Sequence, residues 1–370
     1  MNDQLEKIIL QHAERYPQAQ VKDYLKLLFQ NEFGCGHLLN APVQSLERLK
    51  KEYQEVPRGF VGPYLEDIGG GFARLHLSVL EQTSLSIETF HRIFELSAQK
   101  EFGSIFGFFG KIDALRHLCQ EKRLPIQEDD LVESLELLSQ KELRPFSHSA
   151  DFHQNYRPAY RVIEKKYAEI LDLLIAIDQK LAKNPPILLS IDGDCGSGKT
   201  TLAEMLCAIY GSSRISMDDF FLQKEQRTPE RLAEIGGNID YERFNEEVLL
   251  PLKAGKHFSY RPFNCQTFDF DELVFVYPNR LTIIEGSYSQ HPLFRASYDL
   301  KVFLSVPSQI QEARILKRNG QTMLEKFRNI WIPMEKRFFE AFQVQEESDL
   351  GLQFLTDEEK ASLAPEIYQL

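Results

Sequence analysis

The chain has a single tryptophan and only five cysteines among 370 residues. Those cysteines, Cys35, Cys119, Cys195, Cys207 and Cys265, are odd in number and widely scattered. That excludes a disulfide framework and is the pattern of reduced thiols in a cytoplasmic protein. Positive charge is also scarce: 43 Lys and Arg against 55 Asp and Glu leave a formal net charge of −12. Broad binding of nucleic acid or of a membrane surface needs a basic face, so neither is an expected partner. The opening residues MNDQLEKIIL contain no basic stretch leading into an apolar one, so no export signal is read there. The longest apolar run, around Ile170 to Ile177, is far too short to span a bilayer. A cytoplasmic location is the expectation.

What is present points to two domains. The length exceeds that of a usual single domain, and 43% hydrophobic residues can bury a sizeable core. Val21, Tyr24, Leu25, Leu28 and Phe29 carry the spacing of an amphipathic helix, and Ile163, Tyr167, Ile170, Leu174 and Ile177 predict a second, long one. Between them lie two glycine-rich interruptions, Phe33–Gly36 and Ile68–Gly71. The second helix must end at Lys183-Asn184-Pro185-Pro186, because proline donates no backbone hydrogen bond and biases its predecessor away from helix. Beyond the prolines, short apolar runs alternate with helical stretches: Ile187–Ile191, Arg214–Met217, Leu281–Ile284, Leu300–Val306 and, weakly, Leu350–Phe354. That alternation predicts a parallel sheet flanked by helices. The expected division is a mainly α-helical domain over 1–183 and an α/β domain over 184–370.

The first α/β connection reads Gly193-Asp194-Cys195-Gly196-Ser197-Gly198-Lys199-Thr200, a complete phosphate-binding loop (P-loop). Its glycines allow successive N–H groups to turn inward around phosphates, and the following helix adds its positive end. Gly193 through Thr201 therefore form the candidate nucleotide cradle. Lys199 would reach the terminal phosphates, and Thr200 would offer its hydroxyl to Mg²⁺. The fold class that follows is a P-loop NTPase fold.

Three further stretches decide whether the phosphate goes to water or to a hydroxyl. Ile215-Ser-Met-Asp218-Asp219-Phe220 ends the second strand, where open α/β sheets bind ligands. A carboxylate there can orient or deprotonate a hydroxyl, although Asp-Asp also suits a helix start. Leu281-Thr-Ile-Ile-Glu285 ends a buried strand in a lone acid, the usual partner of the Mg²⁺ shell, not the Asp-Glu pair of motor ATPases. Arg314, Lys317 and Arg318 share a helix face, either as a solvated basic stripe or as a lid that closes on the transferring phosphate.

Taken together, these motifs resemble the uridine kinase and phosphoribulokinase-like family of small-molecule kinases, from roughly Pro186 to Phe354. Asn238-Ile-Asp240-Tyr-Glu-Arg-Phe244, Tyr260-Arg261-Pro-Phe263 and Pro333-Met334-Glu335 extend the match. The resemblance implies an ATP- and Mg²⁺-dependent kinase with Asp218 as base and Lys199, Arg314 and Arg318 around the phosphate. It also implies Glu285 with Thr200 at the metal, and Asp240, Tyr260, Arg261 and Tyr288 on the acceptor side. The chain departs from the family in a short lid and in lacking a histidine after the tyrosine segment; His257 precedes it and His291 follows Glu285. A nucleoside is the leading hydroxyl acceptor, with a sugar, glycerate or pantothenate-like alcohol as the alternative. A nucleotide-gated regulatory ATPase is the reading from another class.

The first half carries no recognised family. Cys35-Gly-His37 and His148/His153 lack zinc-site spacing. Gly69-Gly70-Gly71 reads as a tight turn before a ligand loop, and Gly103–Gly110 as buried aromatic packing. The stretch His148–Arg161, rich in Tyr and Arg, is a candidate contact for the kinase cleft. The roles open to this half are restricting the substrate, sensing a metabolite, or self-association into a homo-oligomer.

Overall fold

The computed structural model describes residues 2–35, 42–59, 62–99, 102–139 and 143–363. His37 and Gly36 lie outside the described residues. The chain divides into two compact units, Met1–Asp178 and Gln179–Leu370. The division falls inside the helix Leu171–Lys183, ahead of Pro185-Pro186. The start of that helix belongs to the first unit, where Asp178 accepts hydrogen bonds from the backbone of Ser86 and the hydroxyl of Thr89.

The first unit is mainly helical, but it also holds a three-stranded antiparallel sheet: Leu65–Gly69, Phe72–His76 in the middle, and Tyr160–Glu164. The first two strands are joined by the triple glycine, whose members all have positive φ, so this is the tight turn expected. Gly70 leaves no room for a side chain, since a Cβ there would sit 1.9 Å from the Asn31 carbonyl oxygen. The helices Asn2–Arg15, Val21–Phe33 and Ile105–Gln120 pack a shared core of Ile9, Tyr24, Leu28, Phe108, Ile112 and Leu115.

Two expectations are corrected here. The helix predicted from Ile163 begins as a strand: Ile163 pairs with Ala73 in the sheet, and the helical residues follow as a short helix Lys165–Glu169 and then Leu171–Lys183. Only Ile163 of the helically spaced set lies in the strand, where the short β-branched run Val162-Ile163 is buried, and so short a run cannot be separated from a helix start by periodicity. In Gly103–Gly110 only Phe108 is fully buried, while Phe106 is 89% exposed and Phe109 47%.

The second unit is built on a five-stranded parallel sheet in the spatial order Leu350–Gln353, Leu300–Ser305, Ile187–Gly193, Leu281–Glu285, Ser213–Ser216. All five expected strands are present, with ends shifted by up to two residues. Ile187–Gly193 is central and buried on both faces, which is why it reads as a mostly apolar run interrupted only by Ser190 before Asp192, and the order of strands reverses around it. Helices Lys199–Tyr210 and Ser308–Asn319 follow two of these strands. Small antiparallel pairs, Phe258–Tyr260 with Val274–Val276 and Phe263–Asn264 with Asp269–Phe270, are inserted before Leu281–Glu285. Among the described residues, no helix is long and apolar enough to cross a membrane.

Candidate active site

The P-loop leaves the central strand at Gly193, where the chain takes φ 134° and runs hard against the neighbouring strand. A Cβ at Gly193 would lie 2.0 Å from the Leu304 carbonyl oxygen, and that same oxygen accepts from Asp194 N at 3.0 Å. The loop is also gripped from outside. Gln311 Nε2 donates to Cys195 O at 2.9 Å, and Arg314 Nη1 donates to Gly196 O at 2.9 Å and Ser197 O at 3.3 Å. Three successive carbonyls are held on one side and the amides of Asp194, Cys195 and Ser197 are bonded within the protein, so the amides offered to an anion are those at the N-terminal end of the helix Lys199–Tyr210. Lys199 opens the following helix and bends its ammonium back to Gly193 O at 2.7 Å and Asp194 O at 3.0 Å. Thr201 is exposed on the first turn of that helix.

The carboxyl ends of three strands meet beside this loop. Glu285 lies in register with Ile191 on one side and Ser216 on the other. It is buried, accepts from the Thr200 hydroxyl at 3.1 Å, and pairs with Arg214 Nη1 at 3.2 Å. Burial pushes its carboxyl above the ordinary range and the nearby Asp218 charge pushes the same way, while Arg214 pulls it back. The donors are thus a hydroxyl and a carboxylate, hard oxygens of the kind Mg²⁺ takes. Among the described residues no cluster of three or more His, Cys, Asp or Glu has metal-site geometry. A magnesium carried on nucleotide phosphates needs only one or two protein carboxylates, so Thr200 and Glu285 fit it.

Asp218 sits just past the end of Ser213–Ser216 in the short helical turn Met217–Phe220, with its amide on the Ser216 hydroxyl. Asp218 is an exposed residue at the strand ends, and the protein packed around its carboxyl still partly desolvates it. That desolvation raises its pKa; Lys199 and, more weakly, Arg318 pull it down, and Glu335 pushes it up. Asp218, Lys199, Glu285 and Arg318 therefore share one electrostatic field.

The other expected site residues divide. Arg314 does not face this group: its guanidinium is engaged by Glu359 at 2.6 and 2.7 Å, by Phe354 O at 2.6 Å and by the loop carbonyls. It clamps the cradle from behind. Arg318, one turn further along the same helix, is exposed. Asp240 is buried as the cap of the helical turn Tyr241–Phe244, one oxygen on Arg243 N at 3.0 Å and the other on Gln226 Nε2 at 2.7 Å. Tyr260 donates to Asp219 Oδ2 at 2.8 Å, and Arg243 also donates to the Asp219 carbonyl, so the Asp218-Asp219 turn is braced from two sides. Arg261 is spent on the carbonyls of Phe270 and Asp271 in the inserted hairpin. Tyr288 is buried, has φ 71°, and packs edge-on to Phe338 at 4.9 Å.

Sequence reasoning gave no role to Glu335, although it stands in the Pro-Met-Glu stretch. It accepts from the loop amide of Cys195 at 3.0 Å and from the Ser287 hydroxyl at 2.5 Å, so it fixes the loop to the strand end. Asp192 was also missed; it accepts from Gly193 N at 2.8 Å and Gln290 N at 2.9 Å, and burial pushes its pKa up to about 6. Neither has a sequence signal beyond a lone acid in an apolar context. His291, noted only for its position, stacks on Tyr241 at 5.0 Å, with Arg231 at 3.6 Å from the centre of the same ring.

Comparison with characterised proteins finds uridine kinase of Anoxybacillus flavithermus at 26% identity over 176 residues, 43% of this chain and 82% of that one. Uridine kinase of Bacillus cereus is 23% identical over 175 residues, 43% of this chain and 82% of its own length. Among solved structures, one described as a possible uridine kinase from Bacillus stearothermophilus aligns over 49% of this chain and 100% of its own. Its identity is 21% and its TM-score 0.39. No family model matches the chain. The sequence similarity, joined to the P-loop and the strand-end carboxylates, identifies a uridine kinase-like P-loop kinase region acting on small molecules.

Proposed function

With a P-loop small-molecule kinase as the premise, we propose that the chain moves the γ-phosphoryl group of ATP to a hydroxyl of a small metabolite, with a nucleoside as the leading acceptor. The observation that carries the reading is Asp218: a carboxyl just past the end of a parallel strand, beside the P-loop strand ends, in the field of Lys199 and Arg318. A group so placed accepts the proton of an attacking hydroxyl, and the amides at the start of the helix Lys199–Tyr210, with the Lys199 ammonium, hold the phosphates it attacks. Thr200 and Glu285 would hold Mg²⁺, which would supply neutralisation of negative charge during the transfer. Arg318 adds positive charge from the lid side, while Arg314, Gln311 and Glu335 keep the loop in shape. Catalysis of this kind is mostly positioning and electrostatic stabilisation.

Similarity to uridine kinases supports a nucleoside acceptor. The absence of a histidine in Tyr260–Cys265 supports the second reading, another alcohol such as a sugar, glycerate or pantothenate-like compound. The acidic net charge supports a small-molecule partner over nucleic acid. The test is to incubate the full chain with ATP, Mg²⁺ and a panel of nucleosides, sugars and hydroxy acids, and to read products by mass spectrometry. A mass gain of one phosphoryl group on a nucleoside supports the leading reading. A gain on another alcohol replaces that acceptor, and consumption of ATP with no phosphorylated member of the panel overturns the kinase assignment.

A further inference from the structure

A second group of buried polar side chains lies in the first unit, around Arg74 on the middle strand. Arg74 is 2% exposed; its Nε and Nη2 donate to Gln30 Oε1 at 2.9 and 2.7 Å, and its Nη1 faces both oxygens of Glu66 at 3.4 Å. The amide nitrogen of Gln30 lies 3.4 Å from the Tyr160 hydroxyl, which is 2.7 Å from His148 Nε2. His148 Nδ1 in turn is 2.8 Å from Asp23 Oδ1. Asp23 also accepts from the amide and hydroxyl of Ser149 and from the amide of Gln20, so it is ionised and can only accept. Burial holds His148 neutral, its pKa pushed down to about 4. A neutral ring that donates at Nδ1 must accept at Nε2, so the Tyr160 proton points to His148. Every hydrogen bond from Asp23 to Arg74 therefore has a fixed direction.

The network does more than fill a core, because it walls a cavity of about 360 Å³. That volume is within the range of small-molecule sites. Tyr160 and Arg74 form part of the wall, with the guanidinium 4.9 Å from the Tyr160 ring centre. Tyr16, Phe152 and Tyr156 form an aromatic side, their ring centres 4.8 to 5.0 Å apart. Arg15 and Glu66 complete the charged lining. Two guanidiniums face one carboxylate, and burial keeps the remaining lining histidine, His76, below its usual pKa. The wall thus carries one uncompensated positive charge next to a set of flat aromatic faces.

We propose that the first unit holds a binding site for a small organic anion with a flat ring. The ring lies against Tyr16, Phe152 and Tyr156, and the anionic group lies toward Arg15 and Arg74. Aromatic faces reward a planar ligand, and the buried guanidinium of Arg74 with the exposed one of Arg15 at the rim rewards a carboxylate or phosphate more than a neutral group. The directed chain through Gln30, Tyr160 and His148 holds Arg74 in place before the ligand arrives. This site is independent of which acceptor the kinase region takes.

Hydrogen–deuterium exchange of the full chain, read by peptide, locates binding in one unit or the other. Four probes separate the parts of the proposal: UMP and 4-hydroxybenzoate carry a ring and a negative charge, uridine a ring alone, and inorganic phosphate a charge alone. Residues 62–76 and 148–160 gain protection with UMP or with 4-hydroxybenzoate, and the more effective of the two tells phosphate from carboxylate. Uridine and phosphate give none there. Arg15→Gln lies on a partly exposed helix face and leaves the melting temperature unchanged, but it weakens the effective probe about tenfold, the loss of one charge-assisted hydrogen bond. Lys199→Ala, which disables the kinase region, leaves this protection intact. The proposal fails if neither ring-bearing anion protects these segments. It fails equally if uridine or phosphate alone protects as well, or if Arg15→Gln binds the effective probe with unchanged affinity.

Discussion

Replacing Asp218 with asparagine keeps the shape of the side chain and removes only the group that takes the proton. Among the described residues its side chain makes no hydrogen bond or ion pair; the turn depends on Ser216, Tyr260 and Arg243 instead. The variant should therefore melt like the parent and bind ATP with a KM changed by less than about threefold, since uniform binding is untouched. A positioned base contributes about 10²–10⁴ in rate, so kcat should fall by that factor, about 3–5 kcal/mol in barrier. The pH profile sharpens the test. Enclosure raises the Asp218 pKa in the folded protein, and Lys199 only partly reverses that. The parent should lose activity as pH falls through a midpoint above the carboxylate value of 3.8, and the residual activity of the variant should lack that acid limb. Steady-state kinetics with coupled ADP detection measures both. A variant retaining more than a tenth of the parent kcat, with the same acid limb, refutes the role of Asp218.

Three further outcomes are expected. Gly193→Ala forces a Cβ to within 2.0 Å of a backbone oxygen at φ 134°, so it should destabilise the protein by about 2–4 kcal/mol and lower its melting temperature, measured by thermal denaturation. Arg314→Ala and Arg318→Ala should separate: the first removes a clamp on loop carbonyls and Glu359, lowering stability by about 1–3 kcal/mol and raising the KM for ATP. The second, at an exposed position, should lower kcat at unchanged melting temperature. For His148, the unfolded ring titrates near 6.5 and the folded one near 4, so the unfolded state alone gains a proton between those values. Stability should be fully present above pH 6.5 and fall by about 3 kcal/mol as pH drops to 4, a loss that His148→Gln should reduce in denaturant titrations.

Much of the second unit was legible because its signals are local. The P-loop and its flanking strand and helix fall within one short segment, and buried parallel strands stand out as apolar runs between helices. Roles set by long-range contacts were not legible. Arg314 and Arg318 share one helix face in sequence, yet the first is captured by Glu359, 45 residues away, while the second stays exposed and adds to the positive field at Asp218. Glu335 reaches the loop amide of Cys195 across 140 positions, a pairing no spacing rule contains. In the first unit, strands such as Leu65–Gly69 and Phe72–His76 carry Glu66, Asp67 and Arg74, which break the apolar alternation by which strands are read. Two of those charges, Glu66 and Arg74, build the Arg74 network, so what hid the sheet also marks the site.

The central claim is that the phosphoryl group goes to a metabolite hydroxyl and not to water. The direct measurement is the ratio of ADP formed to phosphorylated acceptor formed, by the full chain with ATP, Mg²⁺ and the acceptor found in the panel. The account predicts a ratio near one, with ADP release dependent on the acceptor. Steady ADP release accompanied by inorganic phosphate, at a rate the acceptor does not change, would contradict it.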